Sequence, residues 1–170
     1  MEKILPLILS SNTIFAMQFS VMLLVNVLVA RWYVLPWLRR VSIKEALTPL
    51  LLLHVTRVIG LVFVVNAVTD PTLPRGIAYT AAGGDFAAAM LSLIALAMVR
   101  KDVKGANVLV VIANIVGLCD LLLVASWGVP IGFPNYQLGA AWFIPTFIGP
   151  SMMVSHALML WLVLVRSKHE

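Results

Sequence analysis

Five stretches of this chain are each almost free of charge and about 20 residues long, the length an α-helix needs to cross the hydrocarbon of a bilayer. They run from about Thr13 to Ala30, Pro49 to Val68, Ile77 to Val99, Gly105 to Trp127 and Trp142 to Val165. No other feature constrains the fold as tightly, because in lipid every backbone polar group must be satisfied by a helix or a closed barrel. The pattern predicts an all-α integral membrane bundle of five transmembrane helices, forming a single domain over residues 1–170. Composition agrees. The chain is 62% apolar and 11% charged, whereas a soluble domain has roughly 45–50% apolar and about 25% charged residues. The first run reaches Ala30 and ends on Arg31, Trp32 and Tyr33 with no small-residue cleavage pattern, so it reads as a span and not as a removed signal peptide. The same run extends backward through Ile4–Leu9.

The cations alternate between the two ends of the spans. Arg31, Arg39, Arg40, Lys44, Arg100, Lys101, Lys104, Arg166 and Lys168 fall on one side, Lys3 and Arg75 on the other, and Arg57 lies within a span. Basic loops stay in the cytoplasm, which predicts an N-terminus outside, a cytoplasmic C-terminus and a plasma membrane (bacterial inner membrane) location. The net charge of +5 is then a matter of topology and anionic lipid headgroups, and nucleic acid is not an expected partner. Trp32, Tyr33 and Trp37 mark the inner boundary, and Trp127, Tyr136 and Trp142 the outer one, as amphipathic rings prefer the headgroup level. The Arg31–Leu47 connection alternates basic and apolar residues around Pro36, which predicts a short amphipathic helix lying flat on the inner leaflet. The single cysteine, Cys119, lies in an apolar run and rules out an intrachain disulfide.

Ionisable side chains inside a bilayer cost several kcal/mol, so they face protein or water and mark functional sites. Here they are His54 and Arg57 on the second span, Asp85 on the third, Asp120 on the fourth and His156 on the fifth. Asn114 and Asn66 add neutral polarity, as do Gln18 and Asn26 on the first span. At ~1.5 Å rise per residue, Asp85 and Asp120 lie roughly 12 and 10 Å below the outer boundary, and His54 and His156 on the order of 8 and 14 Å above the inner one. Arg57 falls near the midplane between them. It stays charged and needs a carboxylate, with Asp85 or Asp120 as the intramembrane choices. The other carboxylate then stands without a cation, ready to exchange a proton or to bind a cation. The competing reading is that these groups serve as interhelical hydrogen-bonding glue.

Pro150 on the fifth span cannot donate to the carbonyl of Thr146, which predicts a bend there. That carbonyl and the Thr146 hydroxyl lie slightly above the level of the two carboxylates. Such an opened helix is one way membrane proteins assemble a binding site, although a simple packing kink accounts for it equally well. Gly83 with Ala87 and Gly84 with Ala88 let a neighbouring helix approach the third span closely.

Enzymatic signatures are missing: there is no paired-cysteine motif, no His-Glu-x-x-His and no Gly-rich phosphate loop. No metal site and no enzyme activity are expected. Three readings remain. The first is small-molecule or ion binding or transport coupled to protons. In it Asp85 and Asp120 exchange protons, Arg57 is the countercharge or anion anchor, His54 and His156 form an inner relay, and Asn114 and Thr146 complete the site. Five helices are few for a transport path, so this reading allows a homodimer. The second is an accessory or scaffold subunit without chemistry. The third is a redox protein with b-type haem between His54 and His156; otherwise no cofactor is expected.

Arg57 with Gly60, Gly84-Asp85, Asn114 with Gly117 and Asp120, Ile144-Pro145-Thr146, Pro150 and His156 form a pattern over the second to fifth spans. In this the chain resembles a family of uncharacterised small bacterial multi-pass inner-membrane proteins. The resemblance implies a shared intramembrane centre and brings no activity with it.

Overall fold

A computed structural model of the protein describes residues 9–166; Lys3, Lys168, His169 and the backward extension over 4–8 fall outside them. Among the described residues the regular structure is helical, and five helical spans are each long and apolar enough to cross a membrane: Ser11–Leu38, Ile43–Val64, Arg75–Arg100, Ala106–Gly128 and Gly139–Leu164. Large apolar side chains such as Val21, Leu24, Ile94, Ile115 and Leu122 are each more than half exposed on the outside, an apolar exterior that suits lipid and not water.

The first span begins as α1 (Ser11–Val29), where the Ser10 hydroxyl caps the Thr13 amide at 3.2 Å. It does not stop at Ala30. A wider π-helical turn, Ala30–Val34, carries it into α2 (Leu35–Leu38), with Pro36 in the first turn of that segment. Pro36 cannot donate a helical hydrogen bond, and the wider π-helical turn just before it takes up that interruption, so the expected surface helix over Arg31–Leu47 is replaced by a longer span. The chain then turns at 39–41. Ser42 and Glu45 form a reciprocal capping box that starts α3 (Ile43–Val55) upstream of Pro49, which lies inside the helix.

Beyond Val55 the second span tightens into a 3₁₀ helix, Thr56–Val64. Three residues per turn place positions i and i+3 directly above one another, and the buried residues of this segment are Arg57, Gly60 and Phe63. The span ends at Val64, so Asn66 belongs to the following turn and is exposed. The third span, α4 (Arg75–Arg100), is central to the packing and buries Ala78, Ala81, Asp85, Ala88, Ser92 and Ala95 along one face. Small side chains on that face let α5 (Ala106–Gly128) and the second span approach its backbone. The fifth span passes through short 3₁₀ turns and a π-helical turn, Ile144–Ile148, before α6 (Gly149–Leu164).

Two apolar clusters flank the middle of the bundle. One contains Leu38, Leu47, Leu51, Val110, Met159 and Leu162, near the basic end. Its boundary is tied by a Lys44–Asp102 ion pair at 2.5 Å, by Arg166 donating to the Val41 carbonyl at 2.5 Å and to the Leu38 carbonyl, and by Arg39 over the Trp161 ring at 6.0 Å. The other contains Phe63, Leu73, Ile77, Phe133 and Leu138 at the opposite end. The first span is peripheral. None of the residues of α1 is buried, and it leans on the fifth span through Phe15 edge-on to Trp142 (5.6 Å) and a 2.6 Å bond from the Trp142 indole to Gln18.

Candidate functional site

The charged side chains converge between the two apolar clusters. Arg57, on the 3₁₀ segment of the second span, donates through Nε to Asp85 Oδ1 on α4 at 2.7 Å and through Nη2 to Asp120 Oδ2 on α5 at 2.6 Å. Its Nη1 donates to the Gly117 carbonyl at 2.9 Å and lies 3.4 Å from His156 Nε2 on α6. Arg57 is 2% exposed. The expectation that one carboxylate pairs with Arg57 and the other is left over is therefore corrected: a planar fork can serve two carboxylates at once, and here it does. With both carboxylates ionised, the centre carries one more negative charge than positive.

Three glycines make the convergence possible, each on a different span and each opposite a polar side chain. A Cβ on Gly60 would collide with the Asp85 carboxylate, one on Gly84 with the Asp120 carboxylate, and one on Gly117 would lie 2.6 Å from Arg57 Nη1 and 2.8 Å from His156 Cε1. Gly84 thus does more than allow helices to approach, since it houses a carboxylate. Gly83, its neighbour in sequence, faces open space.

The imidazoles lie on the side of Arg57 toward the basic end. His156 Nδ1 bonds Asn114 Oδ1, and Asn114 Nδ2 donates to the His156 carbonyl at 3.1 Å. If Arg57 donates to Nε2, the proton of a neutral His156 is on Nδ1, shared with Asn114. His54 Nε2 is 2.8 Å from Ser155 Oγ, whose hydroxyl donates to the Met152 carbonyl at 3.0 Å. That makes His54 Nε2 the donor and leaves His54 Nδ1 a buried acceptor with no hydrogen-bond partner. The two rings touch, with centroids 4.2 Å apart and planes at 53°. A haem held by two axial imidazoles needs its porphyrin between them, and this pair has no such gap, so the residues do not fit that cofactor. No group of three or more His, Cys, Asp or Glu side chains placed to hold a metal occurs among the described residues.

On the other side of Arg57 the bundle opens into a cavity of about 640 Å³. Asp85, Asp120 and Arg57 form its polar wall, Phe63 and Phe133 line it from the second span and the loop after α5, and α1 closes it with Phe15 and Phe19. The fifth span contributes Ile144, Pro145 and Ile148 from the π-helical turn and Met152 and Met153 from α6. Asp85 Oδ2 and Asp120 Oδ1 accept no hydrogen bond. Both side chains keep a little exposure, 11% and 8%, and both line the cavity.

Residues 14–164 match a family model. The chain belongs to the family described as a domain of unknown function (DUF8737). The match takes in all or most of each span and every residue of the centre. No curated protein and no solved structure matches the chain.

Of the residues singled out in the sequence, Arg57, Asp85, Asp120, His156, Asn114 and His54 form one connected cluster. Thr146 does not join it: its hydroxyl donates to the Trp142 carbonyl at 2.8 Å, and the residue is fully buried away from the cavity. Sequence reasoning missed Ser155, the partner of His54, and the contribution of the first span. The signal for the latter is present, because Asn12, Phe15, Ala16, Phe19 and Ser20 follow the 3, 4, 7, 8 spacing of one helix face and all line the cavity.

Proposed function

We propose that this is a multi-pass protein of a plasma membrane in which the Asp85–Arg57–Asp120 centre exchanges a proton for a cationic group of a ligand held in the adjoining cavity. Transport or sensing of that ligand is then coupled to protons. The observation that carries this reading is the sharing of one guanidinium by two carboxylates, each with a second oxygen that accepts no hydrogen bond, on the wall of a cavity. Two buried carboxylates opposite one cation leave a negative charge that low-dielectric surroundings penalise. A proton relieves the excess, and so does a cation arriving from the cavity; the two compete.

The touching imidazoles of His54 and His156 extend from Arg57 toward the basic end and supply the groups for a proton relay. The charge bias of the loops supports a basic end in the cytoplasm, with the cavity in the outer half. Arg57 acts as the countercharge and not as an anion anchor, because its donors are already directed to Asp85, Asp120 and Gly117.

The test is reconstitution of the purified protein into liposomes with a trapped pH dye under an imposed proton gradient. Wild type should move protons, and Asp120→Asn and Asp85→Asn should lose that movement while retaining their circular dichroism. A folded wild type that moves no protons under any gradient overturns a free-standing proton pathway; exchange that requires the ligand survives that result, and binding, sensing and scaffold roles then lead.

A further inference from the structure

We infer that the ligand of the cavity is an organic amine, a protonated ammonium on an aromatic or branched apolar body. This rests on the proposed role of the carboxylate pair and names the class of ligand it would take. The polar wall of the cavity is acidic: Asp85 and Asp120 line it with 11% and 8% of their side chains exposed, and Asp85 Oδ2 and Asp120 Oδ1, which lie against Gly60 and Gly84, accept no hydrogen bond, whereas the Arg57 Nε, Nη1 and Nη2 atoms are all engaged with protein oxygens. A ligand recognised here must donate hydrogen bonds and carry positive charge. An ammonium does both and forms charge-assisted bonds to carboxylates. A carboxylate or phosphate would meet the excess negative charge of the pair, with only the Asn12 amide, the Ser20 hydroxyl and one uncommitted Arg57 N–H to receive it.

The rest of the wall selects against a bare metal ion. Beyond the three charged residues its only polar side chains are Asn12 and Ser20, and the rest is built mainly from Phe15, Phe19, Phe63, Phe133, Met152 and Met153 with aliphatic side chains. Such a wall leaves most of the coordination shell of a hydrated cation unsatisfied, yet it packs an apolar body and offers ring faces to a cation. The volume of about 640 Å³ lies in the range of roughly 300–1,000 Å³ typical of small-molecule sites. The groups that face the carboxylates are Arg57 from the second span, each other from α4 and α5, and His156 from α6 behind Arg57; the first span offers Asn12 and Ser20, which are uncharged. Lowering the pH protonates the carboxylates in competition with the ammonium, so amine affinity should fall with falling pH.

The probe is 1-naphthylmethylamine, compared with the isosteric 1-naphthylmethanol and with 1-naphthoate, titrated against the full chain in nanodiscs with empty nanodiscs as the blank. The expected result is saturable binding of the amine at neutral pH, at least tenfold tighter than the alcohol, with no saturable binding of the anion. Asp120→Asn should erase the preference for amine over alcohol. Should that variant fail to fold, Ala16→Trp is the second one. It fills the cavity from α1, which buries no residue of its own in the bundle, and should abolish binding of amine and alcohol together. Equal binding of amine and alcohol, preference for the anion, or no saturable binding to folded wild type overturns the inference. Proton flux that depends on Asp120 without amine binding removes the ligand class alone. If Asp120→Asn alters neither flux nor binding, the carboxylate reading falls with it.

Discussion

The half of the molecule near the basic end and the half around the cavity are built from similar apolar residues but by different rules. Near the basic end α3 and the adjoining ends of α4, α5 and α6 are regular α-helices, and Leu47, Leu51, Val110, Met159 and Leu162 interlock with 1% exposure or less. Around the cavity the backbone leaves α geometry over longer stretches, as the 3₁₀ segment Thr56–Val64, the 3₁₀ turn Gly139–Trp142 and the π-helical turn Ile144–Ile148, whereas at the basic end it does so only at the turn Ala30–Val34 of the peripheral first span. Irregular backbone at membrane depth is tolerated where protein or a cavity covers it, not where it meets lipid. Under the proposed function this contrast separates a packed half from a ligand-handling half, with the Arg57 cluster as the seam.

The harshest challenge to that division is Arg57→Met. Removing the guanidinium strands two carboxylates between apolar clusters, and losing one partner of a buried ion pair costs on the order of 3–5 kcal/mol. Unfolding in mixed micelles should show a loss of that size. The same substitution combined with Asp85→Asn and Asp120→Asn should recover most of it. A single variant as stable as wild type would mean that the carboxylates are already neutral and that the seam is not an ionic structure.

Much of this organisation is legible in the sequence, and the boundary of what is legible has a physical cause. Hydropathy finds the spans because lipid is their solvent, and Arg57, Asp85, Asp120 and the two histidines stand out because charge is rare in such runs. Residue depth is one coordinate only. It puts Arg57 between the two carboxylates and the two imidazoles, but the azimuth that lets one fork reach both carboxylates depends on the 3₁₀ winding that aligns Arg57 with Gly60. Nothing in Thr56–Val64 distinguishes 3₁₀ from α winding by composition. The first two spans run beyond the ends their charge pattern marks: the first continues past Arg31 through a π-helical turn to Leu38, and the second starts at Ile43, upstream of Pro49, which the helix takes in. A phenylalanine in an apolar helix also looks the same whether it faces lipid, core or cavity, so the aromatic wall emerged only in three dimensions.

Two substitutions measure the halves against each other. Leu51 is fully buried near the basic end, and Leu51→Ala should cost about 2–5 kcal/mol, as large-to-small changes in a packed core do. Phe63 is 5% exposed and borders the cavity, so truncating it enlarges a space that already exists instead of opening a new void in a packed core. Phe63→Ala should destabilise less than Leu51→Ala and weaken ligand binding, while Leu51→Ala should leave binding intact in the folded fraction. The reverse order would place the principal core around the cavity.

A finer comparison uses adjacent glycines. Gly84→Ala drives a methyl group into the Asp120 carboxylate, and overpacking of this kind costs about 1–3 kcal/mol. Gly83→Ala meets nothing within 4 Å and should be neutral or stabilising by up to about 1 kcal/mol through helix propensity. Equal effects at the two positions would show that close approach of helices, and not the housing of a carboxylate, is what the pair of glycines provides.

The smallest effect is expected where the cavity half meets the headgroups. Asp70 accepts from the Thr72 hydroxyl (2.6 Å) and amide (2.8 Å), and its own amide donates to the Gln137 carbonyl at 2.7 Å, tying the loop after the second span to the loop after α5. The Thr72 hydroxyl, then the Thr72 amide, hold the Asp70 carboxyl below the usual carboxylate range. Its contribution is therefore present at neutral pH and is lost as the pH falls through that lowered value. Asp70→Asn should speed hydrogen exchange at the Gln137 amide, which lies 3.4 Å from Asp70 Oδ2, and should remove the acid-induced change in that exchange. The global unfolding midpoint should stay where it is, because the tie is exposed and local. A shift in the midpoint would instead make the loops part of the cooperative core, and the cavity half would then be held shut by its rim as well as by the seam beneath it.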